Sequence, residues 1–308
     1  MSFTHSIMFH HFHDKKHLPA QGSLSSTDFS EMLDWLASRY NLIGANEYLY
    51  KFENSILNAK DICLSFDDGL LCQYDVAIPI LGERDLDAFF FVYSSAFKNE
   101  PDNLEIFRYF RVNGFANIDD FYDQFFALTI EHSKINFAKH HERYQNLGYL
   151  SAFPFYSEND KWFRYLRDQV LGPENYKKLM FQLMSMNSFS PKNYIENLWV
   201  SEAQLKDISD RGHIVGLHSF SHPTQMSRLS YQEQSDEFHK NLDHISGIVG
   251  SVVSMSHPCG DFNQSTLTIL EELGIRIGFL SSLKETKIKS KFEIPRNDHT
   301  NIYNAMRK

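Results

Sequence analysis

Short apolar runs alternate with amphipathic stretches over much of the chain. Each run is too short for a helix and is bounded by polar or turn-forming residues, which is typical of buried β-strands. The run at Leu86–Val92 is apolar enough to predict a strand covered on both faces. The predicted strands are His5–Phe9, Asp61–Phe66, Leu86–Val92, His213–Leu217, Ser251–Met255 and Ile275–Leu280.

Helical spacing of apolar residues separates these strands. Ser201 and Gln204 have the spacing of a capping box, and Gly212 predicts the end of the helix that they begin. Further helices are predicted at Gln232–Ile245 and Gln264–Leu273. The first helix is predicted to start with Thr27 as its cap and to carry the apolar residues Phe29, Met32, Leu33 and Leu36. This alternation predicts an α/β fold with a parallel sheet, either open or closed into a barrel.

One long region interrupts the alternation. Residues 99–198 are rich in Phe, Tyr and long polar side chains, and apolar residues recur at helical spacing near Phe121 and again near Trp162. We interpret 99–198 as a mostly helical insertion into a domain formed by residues 1–98 and 199–308. Its aromatic residues predict a core of its own. The alternative is a wall over the substrate site that narrows an open groove into a pocket.

Composition and charge narrow the class of protein. Apolar types make up 42% of the 308 residues, which is enough to build a large core and excludes disorder as the main state. Asp and Glu (39) outnumber Lys and Arg (30), giving a formal net charge of −9. A protein that binds nucleic acid through its phosphates is normally basic, so the charge balance argues against that class and, more weakly, against binding to anionic lipid.

The cysteines and the first residues bear on the compartment. Three cysteines without a CxxC spacing do not predict a disulfide framework, and a reducing compartment fits them better. The beginning of the chain lacks a basic segment followed by an apolar run, and no stretch reaches the length of a membrane span. We therefore expect a cytoplasmic protein without an integral membrane segment.

Three polar clusters each follow a predicted strand: Asp67–Gly69, His218–His222 and His257–Gly260. The carboxyl ends of parallel strands share one face of the fold, so segments far apart in sequence can meet there. Two adjacent carboxylates are costly to bury unless a cation compensates them. An Asp-Asp-Gly sequence alone is also a common turn.

Two His-x-x-x-His pairs occur, His13/His17 and His218/His222. The first lies in a polar segment and predicts a solvated loop. The second ends an apolar strand and precedes Pro223, so both imidazoles can point into a cleft and hold a metal ion.

In their order along the chain, these clusters resemble the motifs of the polysaccharide deacetylase family, carbohydrate esterase family 4, also called the NodB homology domain. The family motif T-F-D-D-G is matched by Ser65–Gly69, and H-[ST]-x-x-H-P is matched completely by His218–Pro223. Gly212–Gly216 is similar to the preceding G-H-E-I-G, and Ser256–Gly260 partly matches R-x-P-Y-G. Met8–His11 is similar to the M-Y-H-H start of many members.

The resemblance covers about residues 5–95 and 200–300. It implies a distorted (β/α) barrel of the polysaccharide deacetylase type with fewer than eight strands, here carrying a large helical insertion. It also implies hydrolysis of an N- or O-acyl group on a sugar.

The resemblance further implies a role for individual residues. Asp68, His218 and His222 would bind a divalent metal, usually zinc in this family, Asp67 would be the general base, and the backbone N–H of Cys259 would help to hold the oxyanion. Such a ligand set leaves zinc a position for water, whose pKa the metal lowers, and a neighbouring carboxylate can take the proton.

The chain departs from the family pattern at the third motif. The Arg that orients the base is Ser256 here, and the Tyr is Cys259. Replacing Tyr need not disturb an oxyanion contact made by backbone. We expect Arg296 to substitute for the missing Arg by reaching in from the next strand end, with a surface charge as the alternative.

The general acid is less defined by the sequence. Relatives place a His near the C-terminus, and His299 is the one in this region. His10 and His257 are the alternatives for this role, and both are otherwise expected as substrate or supporting contacts.

Three functions remain open at this point. The first is removal of a short acyl group, acetyl or formyl, from an amino sugar, nucleotide-linked or lipid-linked, during surface glycan assembly. The second is deacetylation of a polymer such as peptidoglycan, chitin or an exopolysaccharide. The third is a catalytically silent glycan-binding protein on the same fold.

Overall fold

In the computed structural model of the chain, residues 5–98, 100, 103–132, 135–150, 156–193, 195–282 and 288–307 are described. The chain divides into two compact units. One is formed by residues Met1–Asp102 and Ile195–Lys308, and the other by Asn103–Tyr194. The first unit carries the polar clusters found in the sequence.

The first unit contains a parallel sheet. Within the described residues its strands follow the order β7-β6-β5-β4-β3-β1-β8, and β2 pairs with β3 beside this path. The strands are β1 His5–Phe9, β2 Asn41–Leu42, β3 Asp61–Phe66, β4 Phe89–Val92, β5 Ile214–Leu217, β6 Ser254–Ser256, β7 Ile277–Phe279 and β8 Arg296–Asp298. Parallel strands require crossover connections, which the helices between them provide.

Backbone contacts beyond β7 nearly close this sheet into a barrel. Ile294 forms a parallel bridge with Phe279 of β7, and the N–H of Leu280 donates to the Ile294 carbonyl at 2.8 Å. The next residue, Pro295, accepts a hydrogen bond from the N–H of Ser6 in β1. The segment that leads into β8 therefore joins the two edges of the sheet, and the predicted distorted (β/α) barrel is confirmed.

Apolar side chains from several strands fill part of the first unit. One core cluster contains Cys63, Phe89, Phe91, Ile277, Phe279 and Ile294, together with Tyr48 and its neighbours on a helix. Phe66 and Phe90 stack with ring centroids 4.6 Å apart. The apolar runs in the sequence thus become strands because both of their faces are covered.

The helices of the first unit surround these strands. They are α1 Ser26–Ala37, α2 Ala45–Glu53, α3 Ile78–Gly82, α9 Glu202–Asp210, α10 Tyr231–Val249, α11 Gln264–Glu272 and α12 His299–Met306. A π-helical turn, Gln73–Ala77, leads into α3. Helix α9 begins with the predicted capping box of Ser201 and Gln204, which is confirmed.

Helix α1 is capped two residues earlier than predicted. Ser25, not Thr27, is its N-cap, and it forms a capping box with Asp28. The prediction of Thr27 was wrong, because both residue types can cap a helix. Only Ser25 has a reciprocal capping-box partner three residues later, Asp28, and this partner decides between them.

The second unit is helical in its described residues. Its helices are α4 Asn103–Asn113, α5 Ile118–His132, α6 Phe137–Leu147, α7 Glu158–Tyr165 and α8 Gly172–Met186. Phe110, Phe121, Phe125 and Phe163 are completely buried in this unit. Its aromatic residues therefore form a core of their own.

None of the helices in the described ranges combines the length and apolarity that a membrane span requires.

Candidate active site

The two adjacent carboxylates lie in a tight turn directly after β3. The N–H of Asp67 donates to the Phe9 carbonyl at 3.0 Å, which extends the ladder between β1 and β3 by one bond. The chain then turns through left-handed backbone at Asp68 (φ 77°) and Gly69 (φ 62°). A Cβ atom at Gly69 would lie 2.9 Å from Cγ1 of Val92, so a side chain at this position would collide with β4.

The imidazole pair lies in the loop that follows β5. The rings of His218 and His222 have centroids 4.8 Å apart. His218 Nδ1 lies 2.9 Å from the Ser256 carbonyl oxygen, to which it donates a hydrogen bond. This bond fixes the tautomer and leaves Nε2 as an electron-pair donor, the arrangement in which histidine binds metals.

These two segments form a group with the geometry of a metal site. Asp68 Oδ1 lies 3.5 Å from His218 Nε2 and 3.6 Å from His222 Nε2, and the ligand atoms all lie within 4.8 Å of one another. The edges of a tetrahedral zinc site with ligands at about 2.1 Å are about 3.4 Å long. Asp68 Oδ1 is buried without a hydrogen-bond donor among the described residues. The residues therefore fit a divalent ion.

Burial works to raise the pKa of Asp68, but the neighbouring imidazoles of His218 and His222 hold it far below its usual range. The carboxylate is thus ionised, as a metal ligand must be.

Asp67 is bound by a fully buried arginine. Arg296 makes two parallel hydrogen bonds to the carboxylate, Nη1 to Oδ1 and Nη2 to Oδ2, each of 2.6 Å. Nη2 also donates to the Ser256 hydroxyl at 2.6 Å. Burial tends to raise the pKa of Asp67, but the charge of the Arg296 guanidinium holds it below its ordinary value. Asp67 is therefore ionised and held in a fixed orientation.

Arg296 is the first residue of β8 and lies level with Ser6 of β1. Its Nε donates to the Leu280 carbonyl, and its guanidinium lies 5.7 Å from the ring centre of Phe91. Contacts with residues on several strands place the side chain inside the barrel. A surface position is excluded because the side chain has no exposed area.

Ser256, where the family motif has Arg, leaves room for this arrangement. Its hydroxyl lies 3.4 Å from Asp67 Oδ2 and accepts a hydrogen bond from Arg296. The small side chain on β6 and the long one on β8 together occupy the space beside the base. Arg296 is thus placed where it can orient Asp67.

His10, one residue beyond β1, is the partly exposed imidazole beside the two carboxylates. Its Nε2 lies 3.9 Å from Asp67 Oδ2 and 3.9 Å from Asp68 Oδ2, and 28% of its side chain is exposed. Gln73 holds its backbone, because the Gln73 side-chain amide donates to the carbonyls of both His10 (2.8 Å) and Asp67 (2.6 Å). Gln73 was not among the predicted site residues, because its only signal in the sequence is a polar residue in a largely apolar stretch.

The other two candidate histidines are buried. His299 has its ring nitrogens 3.3 Å and 2.8 Å from the carbonyl oxygens of Met8 and Gly22, and burial lowers its pKa. His257 is inaccessible, stacks on Phe262 with centroids 4.2 Å apart, and has a pKa lowered to about 4 by burial. These contacts do not support an acid role for His299 or a substrate contact for His257.

Cys259 lies in the 3-10 turn Pro258–Gly260 that follows β6, in left-handed backbone (φ 52°). The residue is exposed. The turn starts two residues after Ser256, whose carbonyl accepts a hydrogen bond from His218, so its backbone lies on the same side of the barrel as the metal group. The oxyanion role of Cys259 stays a prediction.

The other His-x-x-x-His pair, His13/His17, is hydrogen-bonded elsewhere. His17 Nε2 lies 2.7 Å from Asp75 Oδ2, and His13 Nδ1 lies 2.8 Å from the Ser23 hydroxyl. Neither residue belongs to a group of metal-ligand atoms within the described residues. Both imidazoles therefore have polar partners away from the metal group.

Comparisons with known proteins agree with the motifs. The family model described as polysaccharide deacetylase matches residues 172–278, about a third of the chain, which includes both imidazoles of the metal group. No curated protein matches the chain.

Three solved structures illustrate the likeness in fold. The deacetylase PplD of Streptococcus pyogenes, in complex with acetate, has a TM-score of 0.55 at 15% identity, over 97% of this chain and 92% of that one. IcaB from Ammonifex degensii gives 0.54 at 15% identity, over 96% and 91%. The de-N-acetylase from Aggregatibacter actinomycetemcomitans gives 0.54 at 14% identity, over 95% and 93%. The resemblance to the polysaccharide deacetylase family is confirmed.

Proposed function

Because the chain has the fold of polysaccharide deacetylases and matches their family model, we propose that it is a metal-dependent hydrolase that removes an N-acyl group from an amino sugar. The acyl group is acetyl or formyl, and the cofactor is zinc or another divalent metal. The observation that carries this proposal is the juxtaposition of an ion-binding group, Asp68, His218 and His222, with a second ionised carboxylate, Asp67.

Asp67 is suited to be the base. It is ionised, and Arg296 fixes its orientation through two hydrogen bonds. A carboxylate paired with Arg is a weak base, so it accepts a proton readily only from a water made more acidic. A divalent ion held by the neighbouring residues supplies Lewis acidity, both for activating that water and for polarising the acyl carbonyl.

Release of the amine requires a proton donor. His10 supports this role better than His299 or His257, because its ring reaches both carboxylates while keeping part of its surface open to solvent. In the same scheme the Cys259 N–H donates to the developing oxyanion, and a single donor of this kind typically contributes about 3–4 kcal/mol to the transition state.

We propose a small acylated amino-sugar precursor, nucleotide-linked or lipid-linked, as the substrate. A polymeric substrate is the second candidate. It is favoured by the similarity to a protein described as a polysaccharide deacetylase from Bacillus cereus, with a TM-score of 0.51 at 11% identity over 96% of this chain and 64% of that one.

The proposal is tested by mass spectrometry of reaction mixtures that contain the full chain and added zinc. The panel pairs nucleotide-linked N-acetyl and N-formyl amino sugars with N-acetylated oligosaccharides. We expect loss of one acyl group from a member of the panel. Asp67→Asn should abolish this turnover while leaving the bound zinc nearly unchanged, because Asp67 is not in the ion-binding group.

Two results would contradict the proposal. Zinc-loaded wild type that binds a glycan but releases neither acetate nor formate would indicate the catalytically silent alternative. Full activity of Asp67→Asn would remove the assignment of the base.

A further inference from the structure

The loop that carries both imidazoles is held from one side by helix α10. Glu237 and Asn241, one turn apart on that helix, both direct their side chains at backbone groups of this loop. We name these two residues the α10 clamp. The sequence motifs do not include either residue.

Glu237 binds the middle of the loop. Its Oε2 accepts hydrogen bonds from the N–H groups of Phe220 (3.0 Å) and Ser221 (2.8 Å), and its Oε1 accepts one from the Ser221 hydroxyl (2.7 Å). A single carboxylate therefore fixes two consecutive peptide groups between the imidazoles. Hydrogen bonds to an ionised acceptor are about twice as strong as neutral ones.

Asn241 binds the beginning of the loop. Its Oδ1 accepts a hydrogen bond from the His218 N–H at 3.0 Å, and its Nδ2 donates to the Val92 carbonyl and to the Ser94 hydroxyl. The side chain is completely buried. It ties the end of β5 to the end of β4 at the first imidazole.

The backbone of the loop needs such support. Ser219 (φ 63°) and His222 (φ 56°) both adopt left-handed backbone, which is uncommon for residues with a side chain and costs about 1 kcal/mol or more each. This conformation persists only where the surroundings determine it. Without the clamp, the loop can relax toward ordinary backbone and carry the His222 ring away from Asp68.

We propose that the α10 clamp is a positioning device that sets the affinity of the Asp68–His218–His222 group for its metal. The inference rests on the metal-binding part of the proposed function and deepens it. The clamp residues touch neither the ion-binding atoms nor the acid–base residues; they act through the backbone of the loop.

The test is the zinc affinity of the full chain, measured by competition with a fluorescent zinc chelator at pH 7.5. We expect Glu237→Ala to raise the Kd for zinc about 10- to 100-fold, the usual effect of removing a residue that orients a metal ligand. Glu237→Gln should stay within about threefold of wild type, because the amide oxygen can accept both backbone bonds and the amide N–H can donate to Ser221.

One further variant is a control, and another tests the second residue of the clamp. Asp243→Asn removes an exposed negative charge from the same helix and should leave the affinity within about twofold, since the charge is screened by solvent. Asn241→Asp keeps the acceptor for the His218 N–H but loses both donors, and should weaken zinc binding. Circular dichroism of the zinc-free proteins checks that each variant folds, which Glu237→Ala should, because alanine favours helices.

Unchanged affinity of Glu237→Ala would overturn the inference while leaving the proposed function intact. The inference would also be overturned if Glu237→Gln, Glu237→Ala and Asp243→Asn all lowered the zinc affinity equally. Loss of negative charge, and not loss of the loop's position, would then explain the weaker binding. Wild type that binds no zinc would overturn both proposals, and wild type that binds zinc without turnover would overturn only the proposed reaction.

Discussion

The paired side chains of Asp67 and Arg296 are both buried, and each depends on the other for its charge to be tolerated. A buried ion pair adds little stability relative to apolar residues, but removal of one partner leaves an uncompensated charge in the interior. The pair therefore constrains the mutations that the site can accept.

We predict that Arg296→Met lowers the free energy of unfolding by about 3–5 kcal/mol, because the Asp67 carboxylate is left without its cation. The double variant Asp67→Asn with Arg296→Met should recover part of this loss. Urea unfolding at pH 7.5 measures both effects.

The matched control is Arg84→Met. Arg84 pairs with Asp34 at 2.6 Å, but 30% and 68% of the two side chains are exposed. An exposed pair contributes at most about 1 kcal/mol. If Arg296→Met is as mild as Arg84→Met, the buried pair does not have the role described here.

Not all residues of the site could be predicted from the sequence. Asp67, Asp68, His218 and His222 lie in motifs of known spacing, so their order alone was informative. Gln73 binds the carbonyl of His10, 63 positions away, and Asn241 binds that of Val92, 149 positions away. A hydrogen bond to a distant backbone atom leaves no local pattern.

At the scale of elements, apolar patterns located the strands well where both faces are covered. The bounds of His5–Phe9 and Asp61–Phe66 are those predicted. Strand β8 is not among the predicted strands. Its residues, Arg296–Asp298, are polar, and their burial depends on partners elsewhere in the chain. On α10, Gln234 and Asn241 lie on the same buried face as Phe238 and Ile245. Polar residues at helical spacing with apolar ones were the signal in the sequence that these two side chains make buried polar contacts.

The start of β5 supplies a pH-dependent contact. The N–H of Ala88 donates to His213 Nδ1 at 3.1 Å, and burial lowers the pKa of His213 to about 4, with Asp87 and Asp207 acting to raise it and Arg211 to lower it further. The unfolded chain, with a pKa near 6.5, binds the proton more readily than the folded chain. Stability is therefore present above about pH 6.5 and is lost as the pH falls toward 4.

We predict that His213 accounts for a loss of about 1–2 kcal/mol in the free energy of unfolding between pH 7 and pH 5. His213→Asn should be less sensitive to pH by that amount, because the amide oxygen can accept the Ala88 N–H without titrating. Urea unfolding of both proteins at the two pH values gives the comparison. Equal pH sensitivity in the two proteins would rule out this contribution.

At the scale of the whole molecule, the parallel barrel brings distant segments to one end. The residues that directly follow β1, β3, β5 and β6 are His10, Asp67, His218 and His257, and the parallel ladders place these strand ends along one edge of the sheet. The fold class could be predicted because strands and helices alternate. The position of the Arg296 side chain inside the barrel could not be predicted from the sequence. It depends on the pairing of β8 with β1 and on the small side chain of Ser256, which leaves room for the guanidinium.

The proposed reaction depends on one ion held by Asp68, His218 and His222, and zinc K-edge X-ray absorption combined with zinc stoichiometry can detect that ion and its ligands. We predict one zinc per chain with two imidazole ligands in wild type. His17→Ala, from the other His-x-x-x-His pair, should give the same result, and His222→Ala should lose the bound zinc. Zinc retained by His222→Ala with two imidazoles still bound would contradict the account.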